Sequence, residues 1–159
     1  MSEGVEWALH TCLNLTWLPT GHAVPAAKLA AFYELPAAYL NKQLQALARA
    51  GIVSSTSGPK GGFQLARSPE KITLLDIVVA IEGPDEAFRC EELLKRGPGA
   101  DPKVDYRQAC LLSQAMRRAD VAWRRELAAQ SLADLKAQVE SQFPGAPTNT
   151  VNRFTALRA

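Results

Sequence analysis

Apolar and polar positions alternate along this chain in blocks with helical spacing, interrupted once by a strand-like pair. Val5, Leu9, Cys12 and Thr16, with Ala8 and Leu13, recur at i, i+4, i+7 and i+11, which places them on one face of a helix over residues 2–17. Glu6 and His10, four apart, share a face beside that stripe. Pro19, Thr20 and Gly21 end the helix. Pro25 stands where a first helical turn tolerates proline and opens the alanine-rich AAKLAAFY. Tyr33-Glu34-Leu35 breaks that helix. Pro36 opens the next, AAYLNKQLQALARA, with Leu40, Leu44 and Leu47 inward and Gly51 suited to its end. Ile52-Val53 and Phe63-Gln64-Leu65 then flank a glycine-rich turn, the pattern of a β-hairpin. Residues 73–82, TLLDIVVAIE, predict a short apolar helix with a Thr73/Asp76 N-cap, closed by Gly83-Pro84. Residues 84–108 are a long loop of charge, Pro and Gly that contains Cys90 and ends just before Cys110. Loops of this length in compact domains are usually functional or mobile. From about Ala109 to Gln130, Leu112, Met116, Ala119, Trp123 and Leu127 form another stripe. Ser131 and Asp134 read as a capping box for a last helix with Leu132, Leu135 and Val139. The tail, 143–159, carries turn chemistry and is expected to fray.

Composition narrows the class. At 159 residues and 47% hydrophobic, the chain suits one compact domain with an appendage. No apolar run approaches the ~20 residues of a membrane span. MSEGVEWALH has no basic n-region, so no secretory signal is expected, and a cytoplasmic home is. Cys12, Cys90 and Cys110 are too few and too scattered for a disulfide framework. The net charge of +2 hides a division. Residues 24–67 carry Lys28, Lys42, Arg49, Lys60 and Arg67 against Glu34 alone, whereas 68–109 carry nine acids against six bases.

The basic block coincides with the two short helices and the hairpin, the order of a winged helix-turn-helix. That arrangement suits DNA. The second helix fits a major groove and is expected to offer Tyr39, Asn41, Lys42, Gln43 and Gln45 outward. Its proline opening leaves the first-turn amides, at Ala37 and Ala38, for phosphate. The wing turn brings Ser57, Pro59, Lys60 and Gly61 close to a groove, and Lys28 is placed for a phosphate contact.

VPAAKLA, YLNKQLQALARAGIV, GPKGGFQLAR (Gly58–Arg67) and ITLLDIVVAIEGP together resemble the winged-helix transcriptional regulators of the IscR/NsrR type, the Rrf-two family, from about Val5 to Leu127. The resemblance implies a bacterial, mainly α-helical DNA-binding regulator, most often a repressor. It also implies a homodimer with crossed long helices, a recognition helix at Pro36–Ala50, and a palindromic double-stranded operator. The 112–127 stripe, too long for a DNA-binding domain to bury alone, points to the same dimer. The expected division is a DNA-binding domain over 1–83, a sensor loop over 84–108, dimerisation helices over 109–142 and a flexible tail over 143–159.

Many members of that family hold an iron–sulfur cluster with three loop cysteines. This chain has Cys90 and Cys110, with nineteen residues between them and no middle cysteine. Cys12 lies on the buried stripe and is expected in the core. Two thiolates hold one iron of a 2Fe–2S cluster if oxygen or nitrogen ligands hold the other. Some members take an acidic ligand from the partner's first helix, where Glu6 stands, and His10 is one turn on. The expected site is therefore Cys90 and Cys110 from one chain with Glu6 and His10 from the other, a metal-binding sensor of redox state or nitric oxide. His22 is a weaker candidate. The alternative on the same fold is a cluster-free sensor in which Cys90 and Cys110 form a reversible disulfide. A third reading is an interaction protein that kept the winged helix. An enzyme is least supported: there is no Ser/His/Asp arrangement, no Gly-Lys-Ser/Thr loop and no HExxH.

Overall fold

The computed structural model describes residues 1–58 and 61–157. Its helices and strands follow the hydrophobic pattern closely: α1 Glu3–Leu15, α2 Ala26–Phe32, α3 Ala37–Arg49, β1 Val53–Thr56, β2 Gly62–Leu65, α4 Leu74–Glu82, a one-turn α5 Tyr106–Ala109, α6 Leu111–Ala128, α7 Leu132–Gln142 and α8 Ala146–Ala156. The mainly α-helical winged helix-turn-helix is the observed architecture.

α1 packs on α3 and α4, and α2 on α3. Leu40, Leu44 and Leu47 of α3 meet Cys12 of α1, Leu29 of α2, and Ile52, Ile72 and Ile77 in one core, all nearly or wholly inaccessible. Each such leucine or isoleucine stabilises the fold by about 1.5–3 kcal/mol relative to an exposed one. Cys12 is a core side chain, as its stripe implied, and burial pushes its thiol up to about 12. β1 and β2 pair antiparallel, Val53 opposite Leu65 and Thr56 opposite Gly62.

Two capping boxes close the chain onto itself. Thr73 Oγ1 accepts from the Asp76 amide and Asp76 from the Thr73 amide, both at 3.0 Å. Ser131 and Asp134 repeat the arrangement at the start of α7. The two starts lie side by side: the Leu74 amide donates to the Gln130 carbonyl at 3.0 Å, and the Leu132 amide to the Ile72 carbonyl at 2.8 Å. The far end of α6 is thereby tied to the segment just after the wing.

α6 itself is bare. Among its eighteen residues only Ser113 is buried, while Leu111, Leu112 and Val121 are 78%, 62% and 65% exposed. The tail differs from expectation. Instead of fraying, most of it forms α8, with Pro147 tolerated in the first turn and Phe154 buried against Phe32. Tertiary burial of one aromatic side chain outweighs the local turn chemistry. Among the described residues no helix is long and apolar enough to cross a membrane.

Candidate functional site

α3 presents two opposite faces. Its leucines point to the core, and Ala38, Asn41, Lys42, Gln45 and Arg49 are exposed at i, i+3, i+4, i+7 and i+11, a continuous outer stripe that is polar from Asn41 onward. Tyr39 is half-buried beside it. The helix begins at Pro36 with no side chain capping it and no acid in its first turn. The amides of Ala37 and Ala38 have no intrahelical acceptor, so the positive end of α3 is open to an anion.

Gln43 does not belong to that stripe, contrary to expectation. It is only 8% exposed and lies against α1 where Gly4 leaves room: a Cβ on Gly4 would stand 2.8 Å from the Gln43 side-chain nitrogen. Leu40, Gln43, Leu44 and Leu47 form an i, i+3, i+4, i+7 set, so helical spacing alone carried the signal that Gln43 faces inward. Lys28 is half-buried at the start of α2, near His22 and Phe154.

The wing is fastened to the reading unit. Val24, just before α2, exchanges two hydrogen bonds with Phe63 of β2, at 2.9 and 2.8 Å. Ser57 is exposed and Gly61 half-exposed at the turn, while Pro59 and Lys60 lie outside the described residues. Gly62 is required at this junction. At φ +149 a Cβ would sit 2.3 Å from the Val24 carbonyl carbon and 2.4 Å from its oxygen. Gly62→Ala is expected to lower stability by at least about 1–3 kcal/mol through this strain, measured by chemical denaturation; an unchanged midpoint contradicts the fastening. Arg67 follows β2 and joins three elements. Its guanidinium donates to the Gly51 carbonyl at 3.1 Å and the Lys71 carbonyl at 3.2 Å, and lies 3.8 Å from the Asp76 carboxylate. The end of α3, the wing and the cap of α4 thus share one forked side chain.

The cysteine loop is held at both ends. Its first part lies on α6: the Arg124 guanidinium donates to Asp120 at 2.7 Å and to the Asp85 carbonyl at 2.5 Å, and Glu86 lies 3.7 Å from Arg117. Further along, Glu92 pairs with Lys95 and, at 2.5 Å, with Arg107. That second pair joins the segment beside Cys90 to the segment beside Cys110, which sequence reasoning did not anticipate. Both thiols are free and half-exposed. Cys110 is also the N-cap residue of α6, at the end of a helix where anions are favoured.

Glu6 and His10 are both exposed and line one cleft of about 360 Å³ with Val5 and Leu9 on the outer side of α1. Among the described residues, no three His, Cys, Asp or Glu side chains of one chain converge as a metal site. A donor set of Cys90, Cys110, Glu6 and His10 therefore fits a cluster only if two chains share it.

The family model described as "Rrf2: Iron-dependent Transcriptional regulator" matches residues 1–138. Protein aau3 of Rhizobium meliloti is 34% identical over 117 residues, 73% of this chain and 72% of that protein. Among solved structures, the fold is similar to T. potens IscR, at TM-score 0.67 and 20% identity over 90% of each chain. It is also similar to CymR, the global cysteine regulator of B. subtilis, at TM-score 0.65 and 23% identity over 87% of this chain and 96% of that one. The chain belongs to the Rrf2 family of winged-helix transcriptional regulators.

Proposed function

We propose that this regulator binds a palindromic operator as a homodimer and represses from it, under the control of a 2Fe–2S cluster shared between its two chains. The observation that carries the DNA reading is the outward polar stripe of α3, Asn41 to Arg49, opposite its buried leucines. Asn41 and Gln45 are the base-reading side chains, whereas Gln43, expected outward with them, is buried. Lys42, Lys28 and the open amides of Ala37 and Ala38 meet phosphate. Tyr39 flanks the helix in the groove, and the wing turn with Ser57, Pro59, Lys60 and Gly61 enters alongside.

Lys42→Ala is expected to weaken binding on every duplex and to reduce the salt slope by about one contact per half-site. Titrations of duplex DNA at several salt concentrations check this. A wild-type salt slope in the variant contradicts the phosphate role, and a chain that binds no duplex at any salt overturns the DNA reading.

Cys90 and Cys110 of one chain would hold one iron, and Glu6 with His10 of the other chain the second. When bound, the cluster supplies one-electron redox chemistry. The chain's own residues position it. The Glu92–Arg107 pair keeps the two thiol-bearing segments together, and Asp120 with Arg124 fixes the start of the loop on α6. A change at the thiols reaches the reader through α6, whose far end is hydrogen-bonded to the start of α4, and from there through Arg67 to the end of α3.

A further inference from the structure

Helix α8 lies beyond the stretch that matches the family, which ends at residue 138, yet it returns to the DNA-reading unit. There it grips one residue, Phe32, the last of α2. The Phe154 ring stacks on the Phe32 ring at a centroid distance of 4.4 Å and an interplanar angle of 25°. Arg153 holds the same residue twice. Its guanidinium donates to the Phe32 carbonyl at 2.8 Å, and its Cζ stands 4.6 Å from the centre of the Phe32 ring. A carbonyl in the last turn of a helix has no partner within that helix, and a cation there is favoured by the helix dipole as well as by the hydrogen bond.

Phe32 is also where the turn of the helix-turn-helix begins. Four residues, Tyr33 to Pro36, connect α2 to α3, and Glu34 among them adopts φ +56, a left-handed conformation that a glutamate takes only under constraint. Tyr33 passes the grip onward. Its ring meets Phe32 edge-on at 5.0 Å and Trp7 at 5.3 Å, and its hydroxyl accepts from Asn14 Nδ2 at 2.7 Å. The strained turn is thus held from α8 on one side and from α1 on the other. Releasing one side lets the turn relax, and the direction of α3 relative to α2 changes with it. That direction decides how the recognition helix enters a groove.

We propose that α8 is a strap that sets the angle of the DNA-reading helices, and that Arg153 is its positioning residue. The inference rests on α3 being the recognition helix. Arg153 acts through Phe32 and the turn and makes no contact with DNA. Without it, α3 samples several directions, and the cost of selecting one appears as lost affinity.

The test uses the full chain as wild type, Arg153→Ala, Arg153→Lys and Lys42→Ala. The probe is the duplex that the wild type enriches from a random-sequence pool. Arg153→Ala is expected to bind that duplex about tenfold more weakly, with the salt slope of the wild type and with faster amide exchange at residues 33–35. Arg153→Lys keeps a cation able to reach the Phe32 carbonyl and recovers part of the affinity. Lys42→Ala instead loses salt slope and leaves exchange at the turn unchanged. Wild-type affinity in Arg153→Ala overturns the strap. So does a salt slope reduced by one contact, which would make Arg153 a phosphate ligand. A wild-type chain that enriches no duplex overturns the DNA reading, and the strap falls with it. Enrichment by wild type and Arg153→Ala with equal affinity overturns the strap alone.

Discussion

Leu112→Asp is expected to leave each chain folded, to dissociate the proposed homodimer at micromolar concentration, and to weaken operator binding by at least about a hundredfold. Leu112 is 62% exposed within one chain, so its replacement removes little packing there. It stands on the stripe with Met116, Ala119, Trp123 and Leu127, on a helix whose only buried residue is Ser113. A largely exposed apolar face on a long helix marks an interaction surface, and the proposed dimer is expected to bury it. In the proposed dimer the introduced carboxylate is expected to lose its water without gaining a partner, a penalty that opposes association. A palindromic operator is then bound one half-site at a time, and the advantage of a linked second half-site disappears. Sedimentation velocity with and without duplex DNA measures both effects. A variant that still sediments as a dimer shows that the stripe is not the interface.

The second large effect concerns iron. Cys90→Ser and Cys110→Ser, prepared without oxygen and with iron and sulfide supplied, are each expected to lose the iron, the acid-labile sulfide and the visible absorption that the wild type retains. His10→Ala and Glu6→Ala are expected to shift the spectrum and the reduction potential and to lower cluster retention, since nitrogen and oxygen ligands on one iron tune its potential. Cys12→Ser should not touch the cluster, because Cys12 is sealed in the core. The shared arrangement makes a sharper demand: monomeric Leu112→Asp must lose the cluster too, although all four ligands are intact. Full retention of iron in that monomer would sink the two-chain site. A colourless wild type with a Cys90–Cys110 link in its mass spectrum would instead support the thiol switch.

Much of the reading unit was legible in the residues. Leu40, Leu44 and Leu47 marked the inner face of α3, the Thr73/Asp76 and Ser131/Asp134 spacings marked two helix starts, and glycines marked the wing. These features depend on neighbours within a few positions, so local spacing carries them. Gln43 shows the limit of treating polarity as exposure. Its spacing placed it with the leucines, and Gly4, thirty-nine positions away, gives its amide room. The tail shows another limit. Pro, Gly, Asn and Thr promised turns, but the Phe32–Phe154 stack pairs residues that no local window sees together. The loop between the cysteines was legible only as long and charged. Which acid pairs with which base depends on how the chain folds back, so the Glu92–Arg107 and Glu86–Arg117 pairs emerged only in three dimensions.

By itself the sequence determined the kind of molecule: helices and a wing in the order that reads DNA, a basic block over them, a core cysteine, and two further cysteines in an acidic loop. Those properties are local in the chain, set by spacing, by charge and by residue type. Tertiary structure alone decided that the Gln43 amide is seated against Gly4 of α1, how the ends of α6 and α4 are joined, and that α8 grips the turn between the reading helices. These depend on contacts between distant segments. Their energy comes from burial and from partners for stranded carbonyls and charges, quantities that exist only once the chain has closed on itself.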